Sequence, residues 1–183
     1  MDSDGYLSQL AEIFNGITVN TPSISAIIAI ALAGVLLLAS GFASASEIAF
    51  FSLTPSDRND IDEQNHPSDE KISALLGDSE RLLATILITN NFVNVTIIML
   101  CNFFFMNVFV FHSPLAEFLI LTVILTFLLL LFGEIMPKIY SAQKTLAFCR
   151  FSAPGIYFLE KVFRPIATVL VRSTTFLNMH FVK

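Results

Sequence analysis

Apolar residues run almost unbroken from Ser23 to Leu53, from Leu82 to Phe111 and from Leu115 to Met136, with polar residues gathered between and beyond these stretches. Each run reaches or exceeds the roughly 20 residues that a helix needs to cross a bilayer. The pattern therefore predicts three transmembrane helices, at about 23–53, 82–111 and 115–136. The first is longer than a crossing requires, so it is expected to tilt, kink or extend past the headgroups, with Ser40-Gly41 as the break.

Between the first two spans, 54–80 turns polar. Thr54-Pro55-Ser56-Asp57 and His66-Pro67-Ser68-Asp69 each read as a helix start, the second followed by helix-compatible Glu70 to Leu76, which predicts a short helical hairpin. His112-Ser113-Pro114 reads as a tight turn. Beyond Pro137, residues 138–183 interrupt apolar stretches with Lys144, Arg150, Lys161, Arg164 and Arg172 and with Pro154 and Pro165. No uncharged run there reaches spanning length, so a pair of amphipathic juxtamembrane helices is expected instead of a fourth crossing. Residues 1–20 form an N-terminal segment in this reading, and 21–183 a single all-α membrane domain.

Composition agrees with a membrane class: 55% of residues are hydrophobic, 19 are Phe and only 14% are charged. The placement of charge adds orientation. Of the ten basic residues, Arg58 and Lys71 fall in the hairpin segment, Arg81 directly after it, and the rest follow Pro137, whereas Asp2, Asp4 and Glu12 mark the N-terminal stretch. By the positive-inside rule the N-terminus lies outside and both basic segments lie in the cytoplasm, as for a multi-pass protein of the inner (plasma) membrane. The first twenty residues lack a basic n-region, so no cleaved secretory signal is expected.

Several chemistries are disfavoured. Cys101 and Cys149 stand far apart in separate apolar segments, with neither metal spacing nor a disulfide framework, and read as small core residues. His66 and His112 occupy polar turns and His180 the last helix, so no base accompanies the serines of the spans and no enzyme is expected. No basic patch with interleaved aromatics supports nucleic-acid binding.

What the spans do carry is oxygen. Ser40, Ser44 and Glu47 share one face of the first span at helical spacing. The second contains Thr89-Asn90-Asn91-Phe92-Val93-Asn94, three amides in five positions, with Asn102 and Asn107 farther along. The third closes on Gly133-Glu134, and Pro137, which supplies no backbone donor, frees a carbonyl in the preceding turn. Taken singly, these clusters have plainer explanations: small residues for close helix packing, amides bonded between helices, and Glu134 paired with Lys138. Taken together, hydroxyl, amide and carboxylate oxygens without His or Cys describe a hard-cation site, best suited to Mg²⁺, with Ca²⁺, Mn²⁺ and Na⁺ as competitors. Glu47 is a candidate second carboxylate.

At these clusters the sequence resembles the CorC/CNNM (cyclin M) family of magnesium transport proteins, in its transmembrane domain of unknown function 21. The resemblance rests on Phe42 to Leu53, Leu83 to Asn94 and Phe132 to Lys138, in that order, and covers most of the chain after about residue 20. The stretch Phe50 to Asp57 is similar to the branch associated with gliding motility in Bacteroidota. The resemblance implies an N-outside domain of three spans plus juxtamembrane helices, a homodimer in the lipid bilayer, and a Mg²⁺ site in an inward-facing cavity. Carried over by motif, Ser44, Asn90 and Glu134 are first-rank ligands. Ser40 and Gly133 offer backbone carbonyls, and Asn94 is either a ligand or a support to one. It also implies outward Mg²⁺ transport by alternating access, with Na⁺ as a candidate coupling ion, and cytosolic cystathionine-β-synthase-type domains in the full-length chain. One departure is Thr89, where many family members have Gly. The alternative reading is a membrane scaffold or Mg²⁺-sensing module acting through partner proteins.

Overall fold

The computed structural model describes residues 18–110 and 114–181, without the side chains of 116 and 174–181. Most of the N-terminal segment, the 111–113 turn and the side chain of His180 lie outside that set.

Helix α1 (Ile24–Phe51) starts where Ser23 caps it, its Oγ accepting from the Ala26 amide at 3.2 Å. Its 28 residues run unbroken through Ser40-Gly41, so the expected break is absent. A helical glycine costs only about 0.5–1 kcal/mol, too little to break a helix that is packed on several sides. Gly41 serves close approach instead: a Cβ there would lie 3.0 Å from Pro137 Cγ and 3.3 Å from the Phe132 carbonyl oxygen.

The polar segment folds into α2 (Pro55–Asp62) and α3 (Asp69–Leu76). A reciprocal capping box starts α2: Asp57 N donates to Thr54 Oγ1 at 3.2 Å and Thr54 N to Asp57 Oδ2 at 2.9 Å. Helix α4 (Ser79–Val108) then runs back along α1, its largest packing partner. Strands β1 (Thr18–Val19) and β2 (Phe109–Val110) pair antiparallel and tie the start of α1 to the end of α4. Asn107 belongs to the same clasp, since its Oδ1 accepts from the Ser23 amide at 3.1 Å. It is therefore no part of a polar stripe.

The third span consists of α5 (Pro114–Leu128), a π-helical segment (Leu129–Ile135) and α6 (Met136–Gln143). It does not end at Met136 as expected. The helix widens ahead of Pro137, with Met136 N bonding back five residues to Leu131, and continues to Gln143. In that register the next donor would be residue 137, which as proline has none, so the Phe132 carbonyl is left facing Gly41. Three helical runs, Ile24–Phe51, Ser79–Val108 and Glu117–Gln143, are long and apolar enough to cross a membrane. Their outer faces expose large apolar side chains such as Val35, Leu38, Phe92, Met99, Phe118 and Val123, as lipid requires.

The expected pair of juxtamembrane helices is a single helix, α7 (Thr145–Phe181), continuous through Pro154 and Pro165. One face packs Cys149, Ala153 and Ile156 against Phe50, Ile72 and Ile86, and that burial outweighs the hydrogen bonds the prolines forgo. Cys101 and Cys149 are both free and buried. This lower core and an upper one, formed by Ala33, Val93, Ile97, Cys101 and Leu125, leave a polar layer between them.

Candidate metal centre

Ser40 is the middle of that layer. It is fully buried, and its hydroxyl lies 2.8 Å from Asn90 Oδ1 and 2.6 Å from Asn94 Oδ1. Asn90 and Asn94 stand one turn apart on α4, so both reach the same residue of α1. A serine hydroxyl has one proton to give. The two amide oxygens compete for it, and one carbonyl dipole at a time is left with surplus negative potential and no donor.

The third span closes the layer from another side. A Cβ on Gly133 would sit 3.1 Å from Ser40 Oγ, so the π segment lays its backbone against the serine. The half-buried Glu134 follows directly, and its carboxylate has no ion pair among the described residues. One turn along α1, Ser44 is fully buried and its Oγ has no hydrogen-bond partner among the described residues. A buried hydroxyl without a partner costs about 1–3 kcal/mol, and an ion approaching Ser40 would offer it one.

The structure thus brings Ser40, Asn90, Asn94 and Gly133 together, with Ser44 and Glu134 adjoining. It does not bring in Glu47, whose Oε2 pairs with Lys138 Nζ at 3.2 Å. The same bond removes Lys138 as the partner expected for Glu134. Asn91 is exposed and donates to the Leu87 carbonyl of its own helix. Thr89 turns its hydroxyl to the Thr85 carbonyl of its own helix at 2.8 Å.

Two anchors escaped the sequence reading. Ser141 donates to the Ala45 carbonyl at 2.7 Å and fastens α6 to α1 beside the centre. Asp69, read only as a helix start, is fully buried and gripped by Arg150 of α7. That contact holds the Arg150 guanidinium above its ordinary pKa, chiefly through the hydrogen bond to Asp69. Nothing in the spacing of residues 69 and 150 announces either bond. Among the described residues no three His, Cys, Asp or Glu side chains converge.

Residues 30–181 match the cyclin M transmembrane N-terminal domain. The chain belongs to the cyclin M family. It is 30% identical over 136 residues to a UPF0053 protein of Haemophilus influenzae, covering 74% of this chain and 31% of that protein. It is 26% identical over 140 residues to a UPF0053 protein of Synechocystis, covering 76% of this chain and 39% of that one. The chain spans about a third of the length of these relatives. Its all-α, three-span architecture is that of a cyclin M membrane domain.

Proposed function

We propose that this domain moves Mg²⁺ across the inner membrane, outward and by alternating access, with Na⁺ as the candidate coupling ion and a homodimer as the working unit. The observation that carries the reading is the meeting of Ser40, Asn90, Asn94 and Gly133 between three apolar helices, beside an unpaired Glu134 and an unpartnered Ser44. Mg²⁺ favours such oxygen donors, and a single carboxylate holds it loosely enough to release it. With the α2–α3 hairpin and α7 in the cytoplasm, the ion would enter between α1, α4 and the π segment. The Gly41–Pro137 contact is then a pivot of the rocking motion, where the close approach of two helices can shear without breaking either.

A second reading has its own support. The Ser40 bonds to Asn90 and Asn94 also join α1 to α4, as a scaffold or Mg²⁺ sensor would need. Mg²⁺ flux into proteoliposomes, wild type beside Glu134→Gln and Asn90→Ala, separates the two. Transport predicts that flux disappears while the dimer persists. Flux that survives both substitutions overturns it in favour of the scaffold.

A further inference from the structure

At the far ends of α4 and α5, away from Lys138, a cleft of about 350 Å³ has Asn102, Glu117 and Thr122 among its lining residues, interspersed with Ile98, Met106 and Phe118. Carboxylate, amide and hydroxyl recur here as they do around Glu134. None of the three side chains has a hydrogen bond or ion pair with another described residue.

Charge sharpens the point. The chain has no Lys or Arg before Arg58 and none between Arg81 and Lys138, so neither interval supplies a Lys or Arg to offset Glu117. The one other basic side chain in that interval is His112, which lies outside the described residues. Glu117 stands in the first turn of α5, where the helix dipole contributes about 0.3–1 kcal/mol. That accounts for a carboxylate near the interface, and leaves the amide and hydroxyl in the same cleft unexplained. Along α4 the row Asn90, Asn94, Ile98, Asn102, Met106 advances one turn at a time, and Asn102 lies about 12 Å beyond Asn94. The row leads from the Ser40 layer to the cleft.

We propose that Glu117, Asn102 and Thr122 form a second cation site, which holds a hydrated divalent ion at the outer mouth of the spans. Glu117 supplies the charge. Asn102 and Thr122 bond to the ion's water shell, as suits Mg²⁺, which keeps several waters when one carboxylate binds it. That the mouth is the outer one rests on the orientation proposed above; the site itself does not depend on Glu134.

The test is Mn²⁺ binding to the detergent-purified chain, counted by electron paramagnetic resonance, for wild type, Glu117→Gln, Asn102→Ala and Glu134→Gln, with ion-free melting to confirm folding. The expected result is two ions per wild-type chain, one in Glu117→Gln, and an outer affinity lowered about 10-fold in Asn102→Ala. A Glu117→Gln titration that superimposes on the wild type overturns this site. Loss of one ion in Glu134→Gln alone would uphold the inner centre and reject the outer. Loss in Glu117→Gln alone would do the opposite.

Discussion

Arg150 grips Asp69 with two parallel bonds, Nε to Oδ1 at 2.8 Å and Nη2 to Oδ2 at 3.0 Å, and the carboxylate they hold is fully buried. The His66 amide adds a third bond to Oδ2 at 3.0 Å, so the hairpin is closed around the same group that binds it to α7. Arg150→Ala strands a buried charge, and a loss of about 3 kcal/mol is expected. Arg150→Lys should recover only part of it, because an ammonium cannot reproduce the fork. Thermal unfolding of both variants in detergent checks the order; equal melting of Arg150→Ala and wild type would show the clamp to be inconsequential.

Ser40 and Ser44 lie one turn apart and should respond oppositely. Ser40→Ala removes the hydroxyl that both asparagines use, and a loss of about 1–3 kcal/mol in the ion-free protein is expected. Ser44→Ala removes an unpartnered oxygen, so the ion-free protein should hold or gain stability while its stabilisation by added Mg²⁺ shrinks. Melting with and without Mg²⁺ reads both effects. A Ser44→Ala protein stabilised by Mg²⁺ as fully as the wild type would remove Ser44 from the centre.

The glycines at the helix contacts leave little room for a methyl group. Gly133→Ala would place its Cβ 3.1 Å from Ser40 Oγ, and Gly41→Ala would meet Pro137 and the Phe132 carbonyl. Each should cost about 1–3 kcal/mol through overpacking. Only Gly133→Ala is expected to displace Ser40 and weaken Mg²⁺ binding in titration calorimetry while leaving the fold intact. Gly34, with nothing near its Cβ position, is the control, and its Ala variant should gain about 0.5–1 kcal/mol in stability with Mg²⁺ binding unchanged.

Cys149 gives a pH test outside the spans. Burial pushes its thiol from 9.0 up to about 12, the Asp69 charge adding to the rise and Arg150 opposing it. The folded chain therefore keeps its proton where the unfolded chain loses it. The resulting contribution to stability is constant below about pH 9 and falls as pH climbs from there toward 12. At pH 8.5 maleimide should leave Cys149 unmodified in the folded protein and label it after denaturation, in a Cys101→Ala background. Rapid labelling of the folded chain would contradict the buried setting.

The sequence by itself determined the architecture's class: three runs too apolar and too long to fold otherwise, and a cap at Thr54 whose chemistry acts within a single turn. It also marked Ser40, Ser44, Asn90, Asn94, Gly133 and Glu134, because uncompensated oxygen is conspicuous in hydrocarbon. Tertiary structure decided what these residues touch. Gly41 read as a break because local propensity was all there was to weigh; across space it is the socket for Pro137. Glu47 and Lys138 looked like candidates for other roles until two helices placed them 3.2 Å apart. The widening ahead of Pro137 and the continuity of α7 were likewise settled by packing, since a proline's lost hydrogen bond is small beside the apolar surface that a straight or widened helix buries. Bonds between residues 50 to 96 positions apart, such as those of Ser40 and Ser141, have no local signature, and only the fold creates them.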